Sequence, residues 1–260
     1  MSAASGPAAP SAAGQDGPPD SLAGSRSVLR ALEILDLLAV TERPLGLAQI
    51  AKEFGIPKSS CLALLRALCA RKFVKQEPGG AYVLGLRSFE VGAAYLRAVT
   101  PVSAATAELQ ALTERLGMTS HFAVLEGDEV VYLAKQDPPG TGVRLASSLG
   151  ARLSAWTTAV GKAQLAFGDE RAGPEAARAA GALEEVRRRG YAVDEGTTAA
   201  GIRCVAAPVF GAGGCCGAVG VSYLMHGGPA VPVIGDLLVS AATRVSSELG
   251  GAWAAGRDRC

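Results

Sequence analysis

The sequence predicts an α+β fold in two parts, and three observations carry that reading. Residues 45–84 read as a helix, a tight turn, a second helix and a two-stranded hairpin. Positive charge gathers in that region: residues 26–100 hold eleven Lys and Arg against six Asp and Glu, whereas residues 101–260 hold fourteen against sixteen. Past residue 100, apolar runs joined by glycine turns interleave with helical segments, the pattern of an antiparallel sheet with helices around it. A chain of 260 residues is long enough for two packed cores.

Residues 1–24 form an Ala/Ser/Pro/Gly tract without periodicity and are expected to be a disordered tail. A helix is predicted over 27–39, with Val28, Leu32, Leu35 and Ala39 inward and Arg26 and Arg30 outward. Residues 48–54 form the next helix, with Ile50, Ala51 and Phe54 on one side. Gly55-Ile56-Pro57 ends it: Gly supplies the stop, and Pro disfavours a helical Ile56. From about Lys58 another helix carries Cys61, Leu64, Leu65 and Leu68 at i, i+3, i+4 and i+7, one buried stripe. Its opposite face holds Ser59, Leu62, Ala63 and Arg66, joined by Lys58. Residues 73–76 and 81–84 then flank the turn sequence Glu77-Pro78-Gly79-Gly80.

A short helix with a dry inner face and a free outer face, followed by such a wing, is how a winged helix-turn-helix presents a probe to the DNA major groove. Excess positive charge in the same segment suits phosphate contact. The DNA contacts expected are Arg30, Gln49, Lys58, Ser59, Ser60, Leu62, Ala63, Arg66 and, on the wing, Lys75. The competing reading, a small helical module that binds protein, predicts no steep salt dependence with nucleic acid.

A helix over 85–97 puts Leu86, Phe89, Ala93 and Leu96 on one side, and either pairs two subunits as a linker or packs on its own domain. Thr100-Pro101 opens a further helix, with Thr100 as its cap, inward Val102, Ala105, Leu109, Leu112 and Leu116, and Gly117 as its stop. A domain boundary near residue 98 follows, which divides the chain into a tail (1–24), a DNA-binding domain (25–84), a linker helix (85–98) and a second domain (99–252). In the second domain, strands are expected at 120–125 and 130–135 around the Gly127-Asp128 turn, and at 143–147. Helices are expected at 158–167 and 182–189, strands at 202–210 and 217–222 around the glycine turn 211–214, and a closing helix at 233–249.

Six cysteines stand at 61, 69, 204, 215, 216 and 260, with no CxxC pair, and the only histidines are His121 and His226. No metal-ligand spacing is visible and no cofactor is implied. Cys61 falls on an apolar stripe, so reduced thiols in a cytoplasmic compartment fit better than a disulfide framework. Neither a signal peptide nor an apolar run long enough to span a bilayer is seen.

The order of parts resembles the IclR family of bacterial transcriptional regulators over roughly residues 25–250. The matching pieces are Ile56-Pro57-Lys58-Ser59-Ser60, Gly80-Ala81-Tyr82-Val83-Leu84-Gly85, Thr158-Ala159-Val160-Gly161-Lys162-Ala163, Arg189-Gly190-Tyr191-Ala192-Val193-Asp194 and 201–209. The resemblance implies a winged helix-turn-helix, a linker helix and a GAF-like effector domain. It also implies a dimer or tetramer on double-stranded operator DNA, more a repressor than an activator, that responds to a small organic metabolite. Family members often carry a polar or basic residue where this chain has Leu62-Ala63, which leaves direct base reading to Lys58, Ser59, Ser60 and Arg66. The stretch 168–182 is short for the family.

The resemblance places the effector around Thr158, Asp194, Cys204 and Ser222. Free N–H groups of Ala159 and Val160 suit a carboxylate, Asp194 and Ser222 a hydroxyl or oxo group, and Trp156 a larger or aromatic effector. Trp156 reads equally well as a core anchor. Gly220 stands where relatives tend to have a second small polar residue. An enzymatic alternative makes Cys204 the nucleophile of a thiol-dependent redox enzyme or sensor, with Cys215 or Cys216 as resolving thiol.

Overall fold

The computed structural model describes residues 25–41, 43–140, 148–168, 173–225 and 228–252. The expected tail and the strand expected at 143–147 lie outside the described residues. Two compact units divide between Ala93 and Ala94.

The first unit holds α1 (Arg26–Val40), α2 (Leu47–Glu53), α3 (Lys58–Ala70), β1 (Val74–Gln76), β2 (Tyr82–Leu84) and the start of α4 (Leu86–Ala98). Its core joins Ile34, Leu38, Ile50, Cys61, Leu65, Val74 and Tyr82. The turn between α2 and α3 closes as the glycine demands: Gly55 takes φ 59°, its N–H bonds Lys52 O at 3.2 Å, and Ile56 N–H reaches back to Ala51 O at 3.0 Å. Leu45 pairs with Tyr82 through two backbone hydrogen bonds of 3.1 and 2.7 Å, tying the approach to α2 onto the wing.

The inward face predicted for α1 is corrected. Val28 and Leu32 are 60% and 52% exposed and Ala39 is exposed; Ile34 and Leu38 are buried, with Leu35 at the edge. The helix is apolar on more than one side, and periodicity does not say which side meets α3. Gly85 falls outside α4: its N–H bonds Phe73 O at 2.7 Å beside the wing, where a Cβ would stand 2.2 Å from Lys72 O. No residue of α4 is buried.

The second unit continues through α5 (Thr100–Leu116), β3 (Thr119–Glu126), β4 (Glu129–Gln136), β5 (Arg152–Ser154), α6 (Ala159–Leu165), α7 (Pro174–Arg189), β6 (Ala192–Glu195), β7 (Ile202–Gly211), β8 (Gly214–Leu224) and α8 (Val231–Glu248). The strands form one antiparallel sheet in the order β5-β4-β3-β8-β7-β6. One face packs on α5 and α8 through Leu109, Phe122, Val219, Val221, Leu238 and Val245. The other packs on α6 and α7 through Tyr132, Val160, Ala163, Val186, Ala206 and Ala218. This is the α+β architecture read from the sequence.

Three boundaries differ. Thr100 is the first residue of α5 and Val99 its cap, so the threonine does not cap the helix; Pro101 sits in the first turn and Gly117 ends it at φ 64°, as expected. α7 starts at Pro174 instead of 182, its first turn set by a proline at the start of an Ala-rich run. β5 and β6 were not anticipated: at three and four residues they are too short for alternation to show.

Candidate functional site

On the first unit, α3 turns Cys61 and Leu65 into the core and leaves Lys58, Ser59, Ser60, Ala63 and Arg66 exposed, with Leu62 half-buried. The expected probe face is therefore free. Other expected contacts are already engaged within the chain. Gln49 Oε1 accepts the Gly46 N–H at 2.8 Å at the start of α2. Arg30 bonds Glu33 at 2.8 Å and its guanidinium lies 5.6 Å from the Phe54 ring centre. On the wing, Lys75 pairs with Glu77 at 2.8 Å.

On the second unit, register gathers the predicted effector residues. Thr119, Ser222, Cys204 and Asp194 are successive cross-strand partners over β3, β8, β7 and β6, and so share one face. That face is the α6 side, against which Cys204 packs. The neighbouring row runs Lys135, His121, Gly220, Ala206, Ala192. Cys204 Sγ and Ser222 Oγ hydrogen-bond at 3.0 Å. Asp194 is buried, and its two oxygens accept the N–H groups of Thr197 (2.8 Å) and Thr198 (3.2 Å). From α6, Lys162 Nζ donates to Val193 O at 3.3 Å; burial lowers its pKa and the nearby Asp194 opposes that.

Thr158 caps α6: its Oγ1 accepts from Gly161 N–H at 3.1 Å and donates to Ser154 O at 2.9 Å. Gly161 is required there, since a Cβ would lie 2.2 Å from Ala155 O. Ala159 and Val160 are buried in the core beneath α6, and Trp156, half-buried, packs against the same cluster. We expect Thr158→Val to cost about 1 kcal/mol. The check is the thermal melt of the full chain, and an unchanged midpoint would show that the cap carries no weight.

Sequence reading missed Thr119, His121, Tyr132 and Lys135. The signal was slight, since Thr119, Ser120 and His121 are three polar residues in a row and the sequence does not say which face each takes. His121 is buried, stands edge-on to Tyr132 at 5.2 Å between ring centres, and has no partner for Nδ1 among the described residues. Burial, with the charge of Lys135 added, pulls its pKa down to about 3, so the imidazole is neutral. Burial raises the Tyr132 pKa, and Cys204 and Asp194 add to that.

The thiol alternative finds no activated nucleophile. Burial pushes Cys204 up to about 11 despite its bond to Ser222. Burial likewise raises Cys215 to about 12, and Cys215 and Cys216 point to separate carbonyls, Gly217 O and Val209 O, each at 3.6 Å. Among the described residues no cluster of His, Cys, Asp and Glu is arranged to hold a metal, and no helix is long and apolar enough to cross a membrane.

Comparison with known proteins accounts for both units. Residues 27–78 match the IclR helix-turn-helix domain, and residues 93–180 and 174–226 match the bacterial transcriptional regulator IclR C-terminal family. The HTH-type transcriptional regulator XynR of Escherichia coli is 32% identical over 205 residues, 71% of this chain and 80% of that protein. A more distant relative is the transcriptional repressor IclR of the same organism, 26% identical over 71% of this chain and 74% of that protein. An IclR regulator structure from Alicyclobacillus acidocaldarius superposes with TM-score 0.73 at 29% identity, covering 87% and 99% of the two chains. An IclR homologue from Microbacterium hydrocarbonoxydans, solved with 4-hydroxybenzoate, shares the fold at TM-score 0.74 and 20% identity over 86% and 98%. With its helix-turn-helix and its C-terminal sheet both matched, the chain belongs to the IclR family of DNA-binding transcriptional regulators.

Proposed function

We propose that the protein is a cytoplasmic repressor that binds operator DNA as a dimer or tetramer and changes its affinity when a small organic effector occupies the α6 face of the second unit. The observation that carries the effector reading is the row Thr119, Ser222, Cys204, Asp194, polar across four strands of a buried face, with the small residues Gly220, Ala206 and Ala192 in the row beside it. Buried polar groups are costly without partners, and His121 Nδ1 and Thr198 Oγ1 have none among the described residues. In this reading Asp194, Cys204 and Ser222 bind the effector, and Thr158, Ala159, Val160 and Trp156 wall it. Residues 25–84 bind DNA and α4 is the linker.

Pairing of two copies is supported by apolar side chains left open: Leu86 and Phe89 on α4 are 69% and 71% exposed, and Val28 and Leu32 on α1 are open as well. Phe89→Asp is expected to convert the protein to monomer in sedimentation velocity and to abolish two-site operator binding. An unchanged sedimentation coefficient would remove α4 from the interface.

A mobility-shift titration against DNA upstream of the protein's own gene, at two salt concentrations, tests the DNA reading. Selective, salt-sensitive binding to an inverted repeat supports it. Addition of an effector should change that affinity by about 5–150-fold, the range of ordinary allosteric coupling. If no small molecule altered DNA affinity and the two units behaved independently, the coupling would be wrong.

A further inference from the structure

We propose that His121 is a specificity-determining residue of the effector site, reading a hydroxyl group on the ligand from the space that Gly220 leaves open. The inference rests on the effector reading above and adds a residue and a ligand class to it.

His121 lies beside Gly220 in the row next to Ser222, Cys204 and Asp194. A Cβ on residue 220 would stand 2.7 Å from His121 Nε2, so the imidazole occupies the room that a side chain at 220 would fill. Beyond Gly220 the row continues with Ala206 and Ala192, small residues that leave the sheet face low under α6. The imidazole is fully enclosed, yet Nδ1 meets no partner among the described residues. Native structures give nearly every buried ring nitrogen a partner, and a group entering the site would supply this one.

The chemistry of that group follows from its surroundings. Burial and Lys135 keep the ring neutral, so one nitrogen donates and the other accepts. A hydroxyl does both and satisfies Nδ1 in either tautomer. A carboxylate satisfies only the donating form. Nor is the cation beside it free to receive one, since Lys135 is already paired with Asp137 at 3.1 Å. The ligand end facing His121 is therefore an uncharged hydroxyl.

The test uses the full chain and matched probes that differ by one hydroxyl: 4-hydroxybenzoate with benzoate, and lactate with propionate. Binding is followed by calorimetry for wild type, His121→Phe, His121→Gln and Asp194→Asn, with a thermal melt as the folding control. The expected result is that a hydroxylated probe binds about tenfold more tightly than its partner, the worth of one hydrogen bond. His121→Phe should erase that advantage and His121→Gln keep part of it.

An equal ratio in wild type and His121→Phe overturns the role of His121 alone; the effector reading survives if Asp194→Asn still loses binding. Failure of every probe to bind counts against both. If His121→Phe does not melt cooperatively, the nitrogen signals of the imidazoles decide, since the chain has two histidines. The His121 signals must shift with the hydroxylated probe and not with its partner. Unchanged signals, as a trapped water would leave them, overturn the proposal.

Discussion

Arg66→Ala will weaken operator binding by about 1–3 kcal/mol and relax sequence preference, the loss expected for a base-contacting arginine. The reason for choosing Arg66 is what its neighbours lack. Arg30 is held by Glu33 and Phe54, Lys75 by Glu77, and Gln49 by the start of α2. Arg66 stands exposed on the outer face of α3, and no ion pair engages it among the described residues. Lys58, in the first turn of α3, is free in the same way, and its loss should act differently. A phosphate contact weakens all sequences alike and lowers the salt slope by about one. Competition titrations at several salt concentrations, with specific and scrambled DNA, separate the two. Unchanged binding by both variants would remove α3 as the probe.

Acid should destabilise the second unit by about 2 kcal/mol between pH 6.5 and pH 4.5 through His121 alone. The sign follows from where the proton goes. In the unfolded chain His121 titrates near its ordinary 6.5, whereas in the fold burial and Lys135 hold it near 3. The unfolded state therefore takes up a proton over that interval and the folded state does not, so stability falls with pH at about 1.4 kcal/mol per unit. The full contribution is present above pH 6.5 and drains away as the pH drops towards 3. Urea melts at pH 7 and 4.5, followed by tryptophan emission, report on the second unit through Trp156, which packs in its core. His121→Gln should flatten the difference. Wild type and variant losing stability in parallel would show that other groups carry the acid response.

Much of this architecture is legible in the chain because it rests on local rules. The stop at Gly55-Ile56-Pro57 and the cap at Gly117 depend on backbone freedom that glycine alone supplies cheaply, and both appear where expected. Of the stripe Cys61, Leu64, Leu65, Leu68, the structure buries Cys61 and Leu65 and leaves Leu64 and Leu68 half-buried at its edge. The same reasoning failed on α1, where Val28 and Leu32 point outward. Apolar spacing identifies a helix with a dry side, but a helix apolar on several sides leaves the choice to its neighbours. Strands of three and four residues, β5 and β6, fall below the length at which alternation is distinguishable from chance.

For the site, the sequence by itself determined which residue types are available: Asp194 and Cys204 within recognisable motifs, Ser222 on the strand that follows, Gly220 at the position left bare, and the basic outer face of α3. It also determined that the probe helix would be short and one-sided, because turn residues and periodicity act within a few residues of chain. Only the tertiary structure decided that Thr119 and His121, some hundred residues upstream of Ser222, complete the same face. Strand order and register are set by long-range pairing across β3, β8, β7 and β6, and no local pattern records them. The neutral, unpartnered imidazole over Gly220 exists only because that register brings the two together and α6 seals them from water.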